Sequence, residues 1–210
     1  MDAIVENKKV IETFNNPKKL IRNDVRYSTK IFSLWSVEEK KAIGLYEVEH
    51  DNTKKKDEEW YINTNQTITY KTTSDKVVAS YGNATAKPLA DPVYTSEDNS
   101  KNLIPDGKSV GDKKADGLKT IKKNLIDNQC AGLLKPSDWR VVKAKETETE
   151  MDSGWKTWRA SVRSKCNSMQ TQIDNASDVH ALADLFAYRN TGTEENPVIE
   201  RPLGEFPEKV

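Results

Sequence analysis

Six apolar residues, Trp155, Trp158, Val162, Cys166, Met169 and Ile173, recur at steps of 3, 4, 4, 3 and 4. Those steps trace one face of a 3.6-residue helix, so this stretch is constrained to a long amphipathic helix. Arg159, Arg163 and Lys165 fall beside or opposite the stripe. An apolar face of this length must be covered by another part of the chain or by a partner. Both readings stand on the sequence alone. A short self-associating coiled coil is a third, which so few heptads support weakly.

The neighbouring sequence offers candidate covers. Leu118, Ile121, Leu125, Ile126 and Cys130 recur at helical spacing and predict a helix over 118–131, with Gly132 past its end and Pro136 preventing continuation. Ser137-Asp138-Trp139 then reads as a turn and Val141-Val142 as a short extended piece. The interval Lys143 to Asp152, with Glu146, Glu148 and Glu150, reads as a turn-forming link. Ser177-Asp178 caps a further helix in which Val179, Leu182, Leu185 and Phe186 face inward.

Different signals govern the amino-terminal part. Ser36 and Glu39 form a capping box at the head of a short helix, Val37 to Ile43, and Gly44 stands where that helix would end in the left-handed conformation. Trp60-Tyr61-Ile62, Thr67 to Tyr70 and Val77 to Tyr81 are runs of aromatic and branched residues separated by turn composition, which predicts a three-stranded meander. The first 27 residues are polar and irregular; Val5, Val10, Ile11 and Phe14 fit a short helix or a strand equally. From Pro88 to Gly117 prolines and glycines accumulate among Asp, Asn, Ser and Lys. The expected class is therefore α+β: a small antiparallel meander with a short helix at 1–87, a linker or exposed loop at 88–117, and an α-helical domain at 118–210.

Composition narrows the function. Apolar residues make up 35% of the chain and charged residues 31%, against about 45 to 50% apolar in a typical globular chain, so the core must be thin. Lys plus Arg and Asp plus Glu balance at 33 each, which removes the basic footprint of a nucleic-acid-binding protein. No stretch approaches the roughly 20 apolar residues of a membrane span, and the amino terminus lacks a signal-peptide core, so a cytoplasmic protein is expected. In that setting Cys130 and Cys166 read as buried free thiols. His50, in Glu47-Val48-Glu49-His50-Asp51, reads as a strand end and His180 as an exposed residue of a first helical turn; neither has a partner at metal-ligand spacing. Asp106-Gly107-Lys108-Ser109 imitates a phosphate loop, but Asn102 stands where that loop needs glycine. No catalytic residue, cofactor or metal site is expected.

Trp35, Trp60 and Trp139 read most simply as core anchors. Leu133-Leu134, Ser137-Asp138-Trp139, Trp158-Arg159-Ala160 and Val162-Arg163 resemble the small phage tail assembly chaperones, whose pattern runs Leu-Leu, Ser-Asp-Trp, spacer, Tyr-Arg, Leu-Arg and a terminal Trp-Pro. Phe206-Pro207 stands in the place of that last pair, Trp158 replaces the tyrosine, and the spacer is long. Phe32 to Ser36, Glu38-Glu39, Ala42 to Tyr46 and Asp57 to Ile62 are similar to a module found ahead of this domain in proteins encoded near phage tail genes. The resemblance implies a non-enzymatic protein that attends a tail or tail-fibre subunit in the host cytoplasm, or one retained in the virion tail. Trp139, Trp155, Trp158, Arg159 and Arg163 would carry the partner contact, with indoles supplying buried area and guanidinia forked hydrogen bonds.

Overall fold

Two asparagine-led turns decide how the polar amino terminus folds. Asn7 and Lys8 have φ of 48° and 61°, and Asn23 and Asp24 of 49° and 63°. Paired positive φ values are what a two-residue hairpin turn needs, and Asn and Asp tolerate them. In the computed structural model, which describes residues 1–209, the first turn joins β1 (Asp2–Glu6) to β2 (Lys9–Phe14) and the second joins β3 (Leu20–Arg22) to β4 (Val25–Tyr27). The ambiguity at Val5 to Phe14 is thus settled as strand.

The short helices α1 (Ile31–Leu34) and α2 (Val37–Ala42) follow, and α2 has the predicted Ser36–Glu39 capping box with both bonds made. Gly44 has φ of 75°, and a Cβ there would lie 2.6 Å from the Val5 carbonyl oxygen. Only glycine allows the chain to turn so close to β1 and enter β5 (Leu45–Asp51). Strands β6 (Tyr61–Ile62), β7 (Thr67–Lys71), β8 (Lys76–Ser80) and β9 (Thr85–Ala86) come next.

The sheet runs β2-β1-β5-β8-β7. The expected meander is corrected here. β7 and β8 do form an antiparallel hairpin, but the neighbour on the other side of β8 is β5, and the pairing is parallel, with Val48 opposite Val77 and His50 opposite Ala79. Tyr61-Ile62 is too short to serve as a third strand and lies outside this sheet. Side chains on β1 alternate between two cores. Ala3 and Val5 pack with Val48, Val77 and Ala79, whereas Ile4 packs with Leu20, Ile31 and Leu45 under Phe14, Tyr27, Phe32 and Trp35. Trp35 and Trp60 are therefore anchors as expected, half-buried and buried respectively.

Chain contacts divide the molecule into 1–85 and 86–210. In the second unit the Pro88 to Gly117 stretch is tied to the helix that follows it. Leu118 N donates to Pro88 O, Gly117 N donates to Asp91 Oδ1, and a capping box at Thr95 and Asp98 starts α3 (Ser96–Ser100). Helix α4 (Leu118–Leu134) runs through Gly132 rather than ending before it, because nothing there requires a left-handed residue. Its buried face is Leu118, Lys122, Ile126 and Cys130, leaving Ile121 and Leu125 47% and 41% exposed, so the apolar phase read from sequence was shifted by one position. A 3-10 turn at Lys135–Ser137 leads into α5 (Asp138–Glu146). This corrects both the extended reading of Val141-Val142 and the loop reading of Lys143 to Glu146; the lysines, arginine and alanine around two valines outweigh their strand preference.

Helix α6 (Ser153–Asn175) begins at an Asp152 cap and buries Val162, Cys166, Met169 and Ile173. Each fully covered aliphatic there contributes about 1.5 to 3 kcal/mol. Asp178 caps α7 (Val179–Phe186) as predicted, with Val179 and Leu182 buried. The ribbon β10 (Arg189–Asn190) and β11 (Ile199–Glu200) precedes a tail in which Leu203 is fully buried. The chain is α+β. Among the described residues no helix is long and apolar enough to cross a membrane.

Asp75, at the β7–β8 turn, ties the first unit together. Its carboxylate accepts from Lys41 Nζ at 2.8 Å, Tyr70 OH at 2.7 Å and Tyr46 OH at 2.9 Å. Those bonds, the lysine's first, hold its carboxyl down at about 2. Lys113 and Lys114 do the same for Asp91 and Asp98 in the second unit. A depressed folded-state value means stabilisation that is complete above about pH 4 and drains away as pH falls toward 2. Thermal melts should drop steeply in that window. Asp75→Asn keeps a residue suited to the φ of 49° found there and should flatten the first unit's share of the drop; an unchanged profile contradicts this role for Asp75.

Candidate functional site

Helix α4 ends with carbonyls that have no partner further along the helix. Arg159 supplies one. From α6 its guanidinium donates to Leu134 O at 2.8 Å, to Ser137 Oγ through a short contact, and to Asp138 Oδ1 at 2.7 Å. Arg159 is 8% exposed and Ser137 1% exposed. Ser137 Oγ also donates to Leu134 O at 2.8 Å. The corner between α4 and α5 is thus held by a charged fork reaching from a third helix, an arrangement a lysine could not reproduce.

From the residue just before Arg159, Trp158 Nε1 donates to Pro207 O at 3.1 Å, which brings the tail back against the helix. Trp155 meets Trp158 edge to face at a centroid distance of 5.7 Å. Opposite them, α5 presents Trp139 and Arg140. The Arg140 guanidinium lies between two indoles, 4.6 Å from the Trp139 ring and 4.4 Å from the Trp155 ring, and Lys209 Nζ is 4.1 Å from the Trp155 centroid. Such stacks fix an arginine by its flat faces and leave its N–H edge free to donate.

Of the five residues expected to bind a partner, four converge here. Trp139 is 54% exposed, so the simpler reading of it as a core anchor is corrected. Trp155 and Trp158 are half-buried. Arg159 is near them but turned inward, its donors committed to the α4–α5 corner. Arg163 is exposed and stands apart from the indole cluster. The stripe of α6 therefore splits, with residues from Val162 onward in the core and the two tryptophans at the rim.

Arg140 is the member of this cluster that sequence reasoning missed. Its signal was adjacency to Trp139, which becomes informative only once α5 is recognised as a helix. Together with Lys143, Thr149, Met151 and Asp152 it lines a surface pocket of about 160 Å³. The acids of that pocket are committed, Asp152 to Trp155 N at 3.1 Å and Glu150 to Lys156 at 3.3 Å. Among the described residues Arg140 makes no ion pair.

His50 is exposed on β5 and His180 is exposed on α7, 3.8 Å from Asp184. No cluster of three or more His, Cys, Asp or Glu residues able to hold a metal occurs among the described residues. No known protein family, curated protein or solved structure matches the chain.

Arg159→Ala leaves Leu134 O with only the Ser137 hydroxyl as side-chain donor, takes the guanidinium from Ser137 and Asp138, and should lower the stability of the helical unit by about 2 to 4 kcal/mol. Trp139→Ala, at an exposed position, should stay within about 0.5 kcal/mol. Denaturant titrations of both variants check the contrast, and equal losses would refute it.

Proposed function

We propose that the protein is a non-enzymatic phage assembly factor that attends a tail or tail-fibre subunit, holding it through the face built by Trp139, Arg140, Trp155 and Trp158. What supports this reading is the convergence of the motif residues. Leu134, Ser137, Asp138, Trp158, Arg159 and Pro207 are scattered over 74 positions of sequence, yet Arg159 bonds the first three and its chain neighbour Trp158 bonds Pro207. The pattern that resembles the tail assembly chaperones therefore has a physical meaning in this chain: it builds the corner that displays the indoles.

The chemistry of that face suits protein recognition. Interface hot spots are enriched in Trp and Arg, and a stacked arginine loses little further entropy on binding. Its partner chemistry would be apolar surface with a carboxylate for Arg140. The host cytoplasm during assembly is the expected place of action, and neither nucleic acid nor membrane is needed.

A second reading, a permanent component of the virion tail, is favoured by one observation. The first unit leaves Ile21, Leu34 and Val37 66%, 75% and 57% exposed, as befits a subunit covered by neighbours. An inventory of purified particles by mass spectrometry separates the two. An assembly factor should be abundant in the lysate and missing from particles, whereas stoichiometric presence would establish the second reading. Under the first, Trp139→Ala combined with Arg140→Gln should reduce co-purification of the tail protein about tenfold or more, with melting of the helical unit unchanged.

A further inference from the structure

Cys130 and Cys166 lie outside the indole face and are free thiols, 7% and 5% exposed. The register of α4 against α6 sets them opposite one another. Lys119 Nζ bonds Asp174 O, Asp127 Oδ1 faces Gln170 Nε2, and Leu134 O meets Arg159, so contacts advance along α4 as they retreat along α6. Cys130 falls between Asp127 and Leu134, and Cys166 between Gln170 and Arg159. Asp127 Oδ1 accepts from Cys166 Sγ at 3.5 Å, and Gln170 Nε2 stands 3.7 Å from the same sulfur. Burial first, and then the neighbouring Cys130 and Asp127, push the Cys166 thiol up to about 12.

We propose that Cys130 and Cys166 form a two-electron redox pair whose oxidation staples α4 to α6. In the reduced state both are buried thiols and the packing is complete without a bond. With diamide as oxidant, both S–H bonds break and one S–S bond forms, while two protons and two electrons pass to the N=N bond to give the hydrazine. Oxidised glutathione accomplishes the same change by exchange and leaves as two molecules of reduced glutathione. Thiolate is scarce in the folded state, so the step is slow and proceeds through local opening of the helix pair. Once one sulfur is activated, its neighbour is the nearest nucleophile, and the product is an intrachain bond. A link across 36 positions restricts the unfolded chain enough to raise melting of the helical unit by about 10 °C. The surroundings' redox state thereby sets how firmly the frame beneath the tryptophan face is held.

The test uses the full chain. After diamide treatment the intact mass should fall by two hydrogens, thiol titration of the denatured protein should fall from two groups to none, and the helical unit's melting should rise, reverting with dithiothreitol. Cys130→Ser and Cys166→Ser should keep the fold and lose the shift. Refolding in a glutathione redox buffer gives the same pair an opportunity to close before burial, so that access alone does not decide the result. Two free thiols at every glutathione ratio, or oxidation that yields chain-to-chain dimers, would overturn the proposal. Neither result bears on the assembly reading, which rests on other residues.

Discussion

The helical unit depends on one buried guanidinium. Arg159 takes up the carbonyl that α4 leaves at Leu134, and at the same time fixes Ser137 and the Asp138 carboxylate at the head of α5. Helix ends ordinarily rely on nearby caps or on water. Here the nearby Ser137 hydroxyl is joined by a donor from a third helix, which couples closing the corner to docking α6. With the fork in place, α5 can leave the corner in only one direction, and the Trp139–Arg140–Trp155 stack follows from that direction.

This arrangement divides labour between buried and exposed members of one motif. Ser137 and Arg159 are buried, and with the exposed Asp138 carboxylate that Arg159 meets they set the geometry of the corner. Trp139, Arg140, Trp155 and Trp158 are arranged by it and remain at the surface or its rim. Apolar packing of Val162, Met169 and Ile173 supplies most of the stabilisation beneath them. A thin core is adequate because the polar fork removes the freedom that a larger core would otherwise have to remove.

Where the sequence was legible, the signal was periodic or stereochemical. The α6 stripe, the Ser36–Glu39 box and the Asp178 cap each depend on neighbours within one or two turns, and the structure contains all three. Illegible features depended on distant residues. The phase of α4 is set by which side meets α6, so Lys122 is buried with its ammonium 4.9 Å from the Phe186 ring while Ile121 faces solvent. Parallel pairing of β5 with β8 leaves no local trace, and Asp75 looks like any turn aspartate until Lys41, Tyr46 and Tyr70 converge on it. The hairpins at Asn7 and Asn23 were readable in principle, since Asn-led pairs flanked by branched residues mark such turns. At the site, four of the five residues named from composition and resemblance lie together, three of them on the exposed or half-exposed face and Arg159 within the corner beneath it. Arg140 was hidden by a single wrong assignment, a helix read as a strand at Val141-Val142.

The Arg159 fork, rather than apolar packing, holds α5 in place. Amide hydrogen exchange in the Arg159→Lys protein tests it most directly, because lysine keeps the charge but not the three-way fork. The account predicts that amides across Asp138 to Glu146 lose their protection while those near Ile126 and Met169 keep theirs. Retained protection throughout α5 would contradict it.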